Sequence, residues 1–366
     1  MSSLEQLRIA IIGQGAIGPR HADAVLKTSG VVLACIVDPH PPALADARCY
    51  DCPVFPSVRA MLETPEVHTD AAIVCTPNHT HVAISKQLLQ AGIHVLCEKP
   101  ISVDADSGRE LIQCAQKSDR ILLIGHHRRF NRYAIAVKHQ LTTLGRLIAV
   151  NGLWTLYKPL SYFDAPTDWR RLDSAGPIFI NLIHEIDLLH YWYGPITRVY
   201  AEQTLSQRGF DAEEGAAITL RFASGLVGTF LLSDAVVSPF NFESGTGENP
   251  IIPHTGQDFH RLFGSHGSLS IPDMTRWDYG NEERSWNNIL TGTKLDIPDM
   301  KVPFELQVEH FAKVIRGEEQ ASCDGAEGLR AVVVCEAIKQ SMKESRPIEI
   351  EAGSENLVSS TQKIVH

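Results

Sequence analysis

The chain has 366 residues, of which 44% are hydrophobic and 21% charged, and its formal net charge is -10. Such a chain is ordinary for a globular protein and long enough for two domains. The negative charge argues against nucleic-acid or anionic-membrane partners, which favour a basic surface. No apolar run approaches the ~20 residues of a membrane span and no secretory signal is visible, so we expect a cytoplasmic protein.

The first element is an apolar run that ends in glycines. Residues 7–12, Leu-Arg-Ile-Ala-Ile-Ile, are typical of a strand buried on both faces. Gly13, Gly15 and Gly18 follow in the G-x-G-x-x-G spacing of a dinucleotide-binding turn. In such a turn a pyrophosphate approaches the glycine backbone, and the next helix directs its free N–H groups at the phosphates. We assign Ala16 and Ile17 to the same cofactor-binding loop.

A second apolar run, Val31–Val37, ends in Asp38, about 20 residues beyond the last glycine. A carboxylate at this place binds the ribose hydroxyls and repels a 2′-phosphate. Residues 39–47 contain no Lys or Arg to neutralise such a phosphate. The predicted cofactor is therefore NAD. The Pro- and Ala-rich stretch after Asp38 is expected to be helical.

Strand and helix signals alternate through the first third of the chain, as in a doubly wound parallel sheet. Predicted strands at 71–75, 93–97 and 121–124 each end in a polar segment. Ligands bind beyond the carboxyl ends of such strands, so these segments are expected to converge. The cofactor-binding residues predicted on them are Thr76, Pro77, Asn78, His81, Glu98 and Lys99.

The pattern changes after residue 124. Near-alternation of apolar and polar residues over 147–156, 216–222 and 226–232 predicts strands of a sheet with one solvated face. Residues 233–256 are rich in Gly, Pro and Asn, which favours a lid or binding loop. We therefore predict an α/β protein with a Rossmann domain over residues 1–124 and a second, α+β domain over residues 125–366, for substrate binding and oligomerisation.

Five features follow one another along the chain: the glycine motif, the acidic end of the second strand, Thr-Pro-Asn-x-x-His, Glu-Lys-Pro and a later His184-Glu-Ile-Asp187. With this combination the sequence resembles the glucose–fructose oxidoreductase / inositol dehydrogenase / MocA (Gfo/Idh/MocA) family, over essentially the whole chain. The resemblance implies an open-faced, largely antiparallel sheet in the second domain. It also implies a cis peptide between Lys99 and Pro100.

Lys99 is the first candidate for catalysis and for substrate binding. A lysine at a strand end beside a cofactor pocket can donate a hydrogen bond to a substrate oxygen and stabilise developing negative charge. The competing interpretation is a surface lysine with a packed apolar stem. The position between Glu98 and Pro100 favours catalysis.

His184 and Asp187 lie three residues apart on a predicted helix and share a face. Histidine suits proton exchange near neutral pH, although a bonded core histidine has the same pattern. The resemblance favours a catalytic role for both residues. Inositol dehydrogenases of the family carry an orienting aspartate four residues before the histidine, where this chain has Ile180. Asn181, Asp187 or a residue on another segment could replace it.

Further candidates for substrate binding are polar or aromatic, with ordinary surface packing as the alternative. They are Arg128, Tyr157, Trp169, Arg170, Asn181 and Asp187, besides Lys99. Asn241, Glu243 and His254 in the Gly-rich segment are weaker candidates. No metal site is predicted, because no residues besides His184, Asp187 and His190 stand at a spacing typical of metal ligands.

The sequence thus predicts an NAD-dependent dehydrogenase that acts on a secondary alcohol of a polyhydroxylated small molecule, such as a sugar, sugar acid or cyclitol. One alternative is a catalytically silent relative that serves as a regulatory binding protein. Another is an enzyme with tightly bound, internally recycled NAD. The resemblance also implies a homodimer or homotetramer.

Overall fold

The computed structural model describes residues 6–40, 48–351 and 353. The described residues divide into two units. Unit 1 contains the residues up to 131 together with 301–333, and unit 2 contains 132–300 together with 334–351. Most of the predicted Pro- and Ala-rich helix, residues 41–47, lies outside the described residues. Within the described residues no helix has both the length and the apolarity needed to cross a bilayer.

Unit 1 is built on a six-stranded sheet whose strand pairs are all parallel. The strands are β1 (Leu7–Ile12), β2 (Val31–Val37), β3 (Val54–Phe55), β4 (Ala71–Val74), β5 (His94–Glu98) and β6 (Leu122–Gly125). Their order is β3-β2-β1-β4-β5-β6, so the connection reverses between β1 and β4. Ligands of doubly wound sheets bind at this reversal, which confirms the predicted Rossmann architecture and places its binding edge.

The helices of unit 1 begin and end where local chemistry favours it. They are α1 (Gly18–Lys27), α2 (Val58–Leu62), α3 (His81–Gln90), α4 (Ala105–Ser118), α8 (Pro303–Ile315) and the first part of α9 (Gly325–Glu344). The side chain of Asp104 caps α4 by accepting from Ser107 N at 2.8 Å. Gly92, just beyond α3, has a φ of 83°, which glycine adopts without strain.

Helix α8 belongs to the core of unit 1, although it comes late in the chain. Phe304, Val308 and Phe311 are buried in the same hydrophobic cluster as Ile9 and Val25. The domain boundary predicted after residue 124 assigns this helix to the second domain. The apolar face of α8 is instead covered in unit 1, so a single cut in the sequence does not separate the two units.

Unit 2 is built on a nine-stranded sheet of order β14-β13-β12-β11-β7-β10-β9-β8-β15. The strands are β7 (Leu147–Thr155), β8 (Ile196–Gln203), β9 (Gly215–Phe222), β10 (Val227–Ser233), β11 (His260–Gly264), β12 (Ser268–Ile271), β13 (Thr275–Asp278), β14 (Thr291–Lys294) and β15 (Ile348–Glu349). Only β7 and β10 pair in parallel among these strands, so the largely antiparallel sheet is confirmed. Residues of β9 and β10 alternate between buried and exposed, as a sheet with one open face requires.

The helices of unit 2 include one that follows directly on a π-helical turn. They are α5 (Arg132–Gln140), α6 (Ile183–Tyr193), α7 (Phe242–Thr246) and the rest of α9. The residues Ile178–Leu182, directly before α6, form a π-helical turn. Such turns are rare and often occur at functional sites.

The segment 233–256, predicted as a lid or binding loop, is anchored at its centre. Helix α7 lies within it, and the side chains of Asn241 and Phe242 are fully buried. Asn241 accepts a hydrogen bond from Ser244 N at 2.8 Å and caps α7. The Glu243 carboxylate accepts from Trp154 Nε1 at 2.9 Å, and the His254 ring contacts the Gly245 carbonyl at 3.1 Å. These bonds give all three weak candidates a part in holding the segment.

Candidate active site

The glycine loop lies at the reversal of the sheet of unit 1. Gly13 has a φ of 98°, and a Cβ there would lie 2.9 Å from the carbonyl carbon and oxygen of Cys75, at the end of β4. At Gly18 a Cβ would lie 2.2 Å from the Gly13 oxygen. No atom lies within 4 Å of a Cβ placed on Gly15. Gly13 and Gly18 therefore allow close packing, whereas the backbone of Gly15 faces open space in which a pyrophosphate fits.

Asp38 lies at the end of β2, beside this loop, and is largely buried. One carboxylate oxygen accepts from Gln14 N at 2.7 Å, and the other accepts from His40 N at 2.8 Å. The carboxylate is thus fixed against the glycine loop. Each oxygen keeps a lone pair for a ribose hydroxyl, which is the role predicted for it.

Glu98 and Lys99 follow β5 at the same edge of the sheet. Glu98 is 6% exposed, and its Oε1 accepts from His21 Nε2 at 2.7 Å. Its Oε2 accepts from the backbone N–H of Lys99 at 3.2 Å. The Lys99 side chain is half-buried, and the Lys99–Pro100 peptide is cis, as the resemblance implied. Glu98 therefore anchors the residue that is predicted to bind the substrate oxygen.

The Glu98 carboxylate is ionised despite its burial. Burial raises its pKa, but the hydrogen bond and charge of His21, together with His127 and Lys99, outweigh burial and lower the pKa to about 2. The rings of His21 and His127 both pack on Phe304 of α8, with ring centroids 5.0 and 4.7 Å away. Helix α8 thus supports the loop that carries Lys99.

The segment after β4 contains the other predicted cofactor residues. Pro77 and Asn78 are exposed at its tip, and Thr76 is half-buried. His81 is different, since it is 1% exposed and both its ring nitrogens contact backbone carbonyls. Beyond β6, the predicted substrate residue Arg128 is 3% exposed on the turn His127–Phe130.

In unit 2 the π-helical turn leads directly into α6, which carries His184 and Asp187. Both side chains are buried, with exposed fractions of 8% and 1%. Ile180, which is four residues before His184, and Asn181 both lie within the π turn. Side chains four residues apart are therefore not aligned here as they are along an α-helix. Asn181 remains half-buried, with a side chain available to a neighbour.

Lys158, just beyond β7, supplies that neighbour. Its Nζ donates to Asn181 Oδ1 at 2.7 Å and lies 3.2 Å from Asp234 Oδ2. The amine also lies over the rings of Trp154 and Tyr162, at 5.4 and 4.8 Å. Burial lowers the pKa of Lys158, and the charge of Asp234 only partly offsets this. The amine therefore holds Asn181 three residues before His184.

The predicted substrate residues around this amine are partly exposed. The Tyr157 and Trp169 side chains are 54% and 48% exposed. The Cζ atom of the Arg170 guanidinium lies 3.8 Å from the centroid of the Tyr162 ring and 5.6 Å from the centroid of the Trp169 ring. The structure thus brings Trp169, Arg170 and Asn181 into one polar and aromatic cluster around Lys158 and Tyr162.

Both halves of the chain match models of one protein family. A model described as the oxidoreductase family, NAD-binding Rossmann fold, matches residues 7–126. The corresponding C-terminal alpha/beta domain matches residues 138–350. The chain belongs to the Gfo/Idh/MocA oxidoreductase family. It is therefore an NAD-dependent dehydrogenase, and the predicted cofactor is confirmed.

Several relatives and solved structures match this Gfo/Idh/MocA chain over nearly its whole length. Inositol 2-dehydrogenase from Rhizobium meliloti (strain 1021) is 25% identical over 360 residues, covering 94% of this chain and 99% of the relative. The uncharacterized oxidoreductase YrbE of Bacillus subtilis (strain 168) is 24% identical over 359 residues, covering 95% and 97%. The fold is shared with the crystal structure of the WlbA dehydrogenase from Bordetella pertussis in complex with NADH and UDP-GlcNAcA, with a TM-score of 0.75, 22% identity and coverage of 95% and 99%.

Within this family member, the residues that hold Asn181 were missed from the sequence. Arg208 donates to Asp234 Oδ1 at 2.6 Å and lies 3.8 Å from Glu214, so Asp234 is shared by two cations. In the sequence Lys158 is the centre of a Tyr-Lys-Pro segment, and Asp234 falls in the segment 233–256 that was predicted as a lid or binding loop. Their pairing joins residues 76 positions apart, for which the sequence has no local signal.

Proposed function

We propose that the protein oxidises a secondary alcohol of a polyhydroxylated small molecule, a sugar, sugar acid or cyclitol, with NAD as hydride acceptor. One observation carries the proposal. Lys99 stands half-buried at the carboxyl edge of the parallel sheet, with its backbone anchored by the ionised Glu98. An ammonium group there supports a hydrogen bond to an alcohol oxygen that becomes a ketone oxygen.

The proposed roles of the side chains follow from the balance of the reaction. The glycine loop and Asp38 would hold NAD, which would supply the hydride acceptor. His184, in its neutral form, takes the hydroxyl proton, so the alcohol becomes a ketone as one hydride and one proton leave. Lys99 donates a hydrogen bond to the same oxygen. Asp187 binds the substrate or stabilises the protonated histidine.

The substrate class is supported by the polar and aromatic cluster of unit 2. Asn181, Arg170 and Lys158 offer directed hydrogen bonds, and the exposed Tyr157 and Trp169 offer apolar faces. Hydroxyl-rich rings need both kinds of contact. Relatives are named inositol 2-dehydrogenase and UDP-N-acetylglucosamine 3-dehydrogenase, which act on such rings by their names.

The test is a panel of inositols, sugars, aldonates and quinate-like acids, scored by NADH absorbance with purified protein. Reduction of NAD with one class of these compounds supports the proposal if the Lys99→Ala and His184→Ala variants lose it. A folded, NAD-binding protein that reduces no NAD with any member contradicts it. NAD released from the denatured protein as purified would instead favour the internally recycled cofactor. Lack of turnover together with capture of a partner protein would favour the regulatory alternative.

We also propose that copies of the chain associate through the open sheet face of unit 2. Three large apolar side chains are exposed there: Val227 at 46% and Leu231 at 41% on β10, and Phe263 at 42% on β11, with β7 between the two strands. Apolar groups clustered on an open face favour protein contacts. Light scattering after gel filtration tests this: a dimer or tetramer is expected, and Val227→Glu should reduce it to monomer. A monomeric wild type contradicts the proposal.

A further inference from the structure

His81 begins α3 and is enclosed by backbone. Its Nδ1 lies 2.7 Å from the carbonyl oxygen of Pro100, and its Nε2 lies 2.8 Å from the carbonyl oxygen of Thr76. A carbonyl oxygen can only accept a hydrogen bond. A neutral imidazole has one N–H and one lone pair, so one of these short contacts would set a lone pair against an oxygen. Both contacts are favourable only if both ring nitrogens carry a proton.

We infer that His81 is held as an imidazolium in the folded protein, and that it is a positioning residue for the loop that carries Lys99. The second part rests on the function proposed above. It replaces the predicted cofactor contact of the His81 ring with an indirect role, exerted through the two loops that the ring joins.

The ring links two neighbouring strands of the sheet. Thr76 follows β4 and Pro100 follows β5, and these strands pair along their length from Ala71↔His94 to Val74↔Cys97. Lys99 is thus held from both sides. Its own N–H donates to Glu98 Oε2, and the carbonyl of the next residue accepts from His81. The imidazolium fixes the backbone that aims the Lys99 amine, and it fixes the start of the segment containing Pro77 and Asn78.

The charge of the ring is supported by its surroundings. Burial lowers the pKa of His81, but the charge of the Cys97 sulfur and its hydrogen bond, together with the carbonyls of Pro100 and Thr76, outweigh burial and raise the pKa to about 9. Cys97, on β5, is fully buried beside the ring. Glu98 is directed at His21, so it pairs with that histidine instead. The N-terminus of α3 opposes a cation, and the two carbonyl bonds act against this effect.

His94 provides an internal reference on β5 itself. Its Nδ1 accepts a hydrogen bond from Ile121 N at 3.0 Å, so this nitrogen carries no proton. Burial, together with the positive charge of Arg120, lowers the pKa of His94. The two histidines therefore have opposite protonation states at neutral pH, within one unit and 13 positions apart.

The first test is independent of activity. Long-range ¹H–¹⁵N spectra of the full-length protein labelled with [¹⁵N]histidine report whether each ring nitrogen is protonated. His81→Gln and His94→Gln variants assign the two signals by their loss. At pH 7.5 we expect two protonated nitrogens for His81 and one for His94, with loss of a His81 proton near pH 9. A His81 ring with one protonated nitrogen at pH 7.5 overturns the inference.

The second test uses alcohol oxidation by the active protein. In wild type, kcat should fall as pH rises through the titration of His81 measured by NMR, because one carbonyl bond is then lost. His81→Gln should lower kcat by about tenfold to a hundredfold and abolish this limb, with the substrate KM little changed. His94→Gln should keep the limb. If His81→Gln retains the limb and normal kcat, the positioning role is wrong. Failure of the proposed function would appear separately, as wild type without turnover but with an intact imidazolium signal.

Discussion

The buried carboxylate of Glu98 accepts a hydrogen bond from the ring of His21 at 2.7 Å. This pair joins the first helix of the chain to the end of the fifth strand, 77 positions later. The second oxygen of Glu98 accepts a hydrogen bond from the backbone N–H of Lys99. The His21–Glu98 pair therefore couples the stability of unit 1 to the geometry of a candidate catalytic residue.

The first prediction concerns the pH dependence of stability. The pKa of Glu98 falls from its ordinary value of 4.5 to about 2 on folding. Its contribution, on the order of 3 kcal/mol, is therefore present above pH 4.5 and is lost as the pH falls toward 2. Glu98→Gln should lower the Tm near pH 7 and differ less from wild type near pH 3. Thermal unfolding between pH 3 and pH 7 measures this difference in Tm, and Glu63→Gln, at an exposed position, serves as the control. An equal Tm difference at both pH values would contradict the assignment.

The second prediction is a preference for NAD over NADP. The Asp38 carboxylate, fixed by the N–H groups of Gln14 and His40, repels a 2′-phosphate. kcat/KM should be higher with NAD than with NADP, and Asp38→Ala should reduce the ratio of these two values. The exposed Asp106→Ala, on α4, serves as the control. Equal or better kinetics with NADP in wild type would show that the carboxylate does not select the cofactor.

The third prediction concerns Lys99. Lys99→Ala should lower kcat by on the order of a hundredfold, typical for the loss of one electrostatic or proton-transfer group. NAD affinity should change little, because the glycine loop and Asp38 remain intact. Lys86→Ala is a suitable control, since Lys86 pairs with Glu110 at the surface of the same unit. Normal turnover in folded Lys99→Ala protein would assign this lysine a purely structural role.

The sequence was sufficient where function depends on short local patterns. The glycine spacing after β1, Asp38 after β2 and Glu98-Lys99 after β5 were all predicted at the edge where the structure places them. In a parallel sheet the end of each strand is marked by the end of an apolar run, and the topology itself brings these ends together. The cis peptide before Pro100 came from the family resemblance instead.

Other features depend on contacts that no local pattern records. Helix α8 packs on the first helix of the chain because its apolar face matches a surface nearly 300 residues away. The segment 233–256 has a loop composition, yet Phe242 is buried within it. The Lys158 amine that donates to Asn181 is paired with Asp234, 76 positions later in the chain. Sequence periodicity is silent on all of these.

The fourth prediction tests the buried amine of unit 2. Lys158→Met keeps the length of the side chain but removes the donor to Asn181 and leaves Asp234 to Arg208. The freed Asn181 amide should raise the substrate KM severalfold, with NAD affinity unchanged. Lys313→Met, a surface substitution beside Glu309 and Glu319, is the control. An unchanged KM in folded Lys158→Met protein would remove Asn181 from the substrate site.

The last prediction concerns His184 and Asp187 on α6. A histidine that accepts a proton must be neutral, so kcat/KM for oxidation should fall on the acidic side of the pH profile as the ring is protonated. Asp187→Asn removes a negative charge and should shift this limb to lower pH, because the imidazolium loses its support. His184→Ala should lose most activity while still binding NADH.

The measurement is kcat/KM against pH for wild type and both variants. If His184→Ala keeps its activity and its acidic limb, the base lies elsewhere, with Lys99 or the His126–His127 pair as the next candidates. If Asp187→Asn leaves the limb in place, Asp187 serves the substrate and not the histidine.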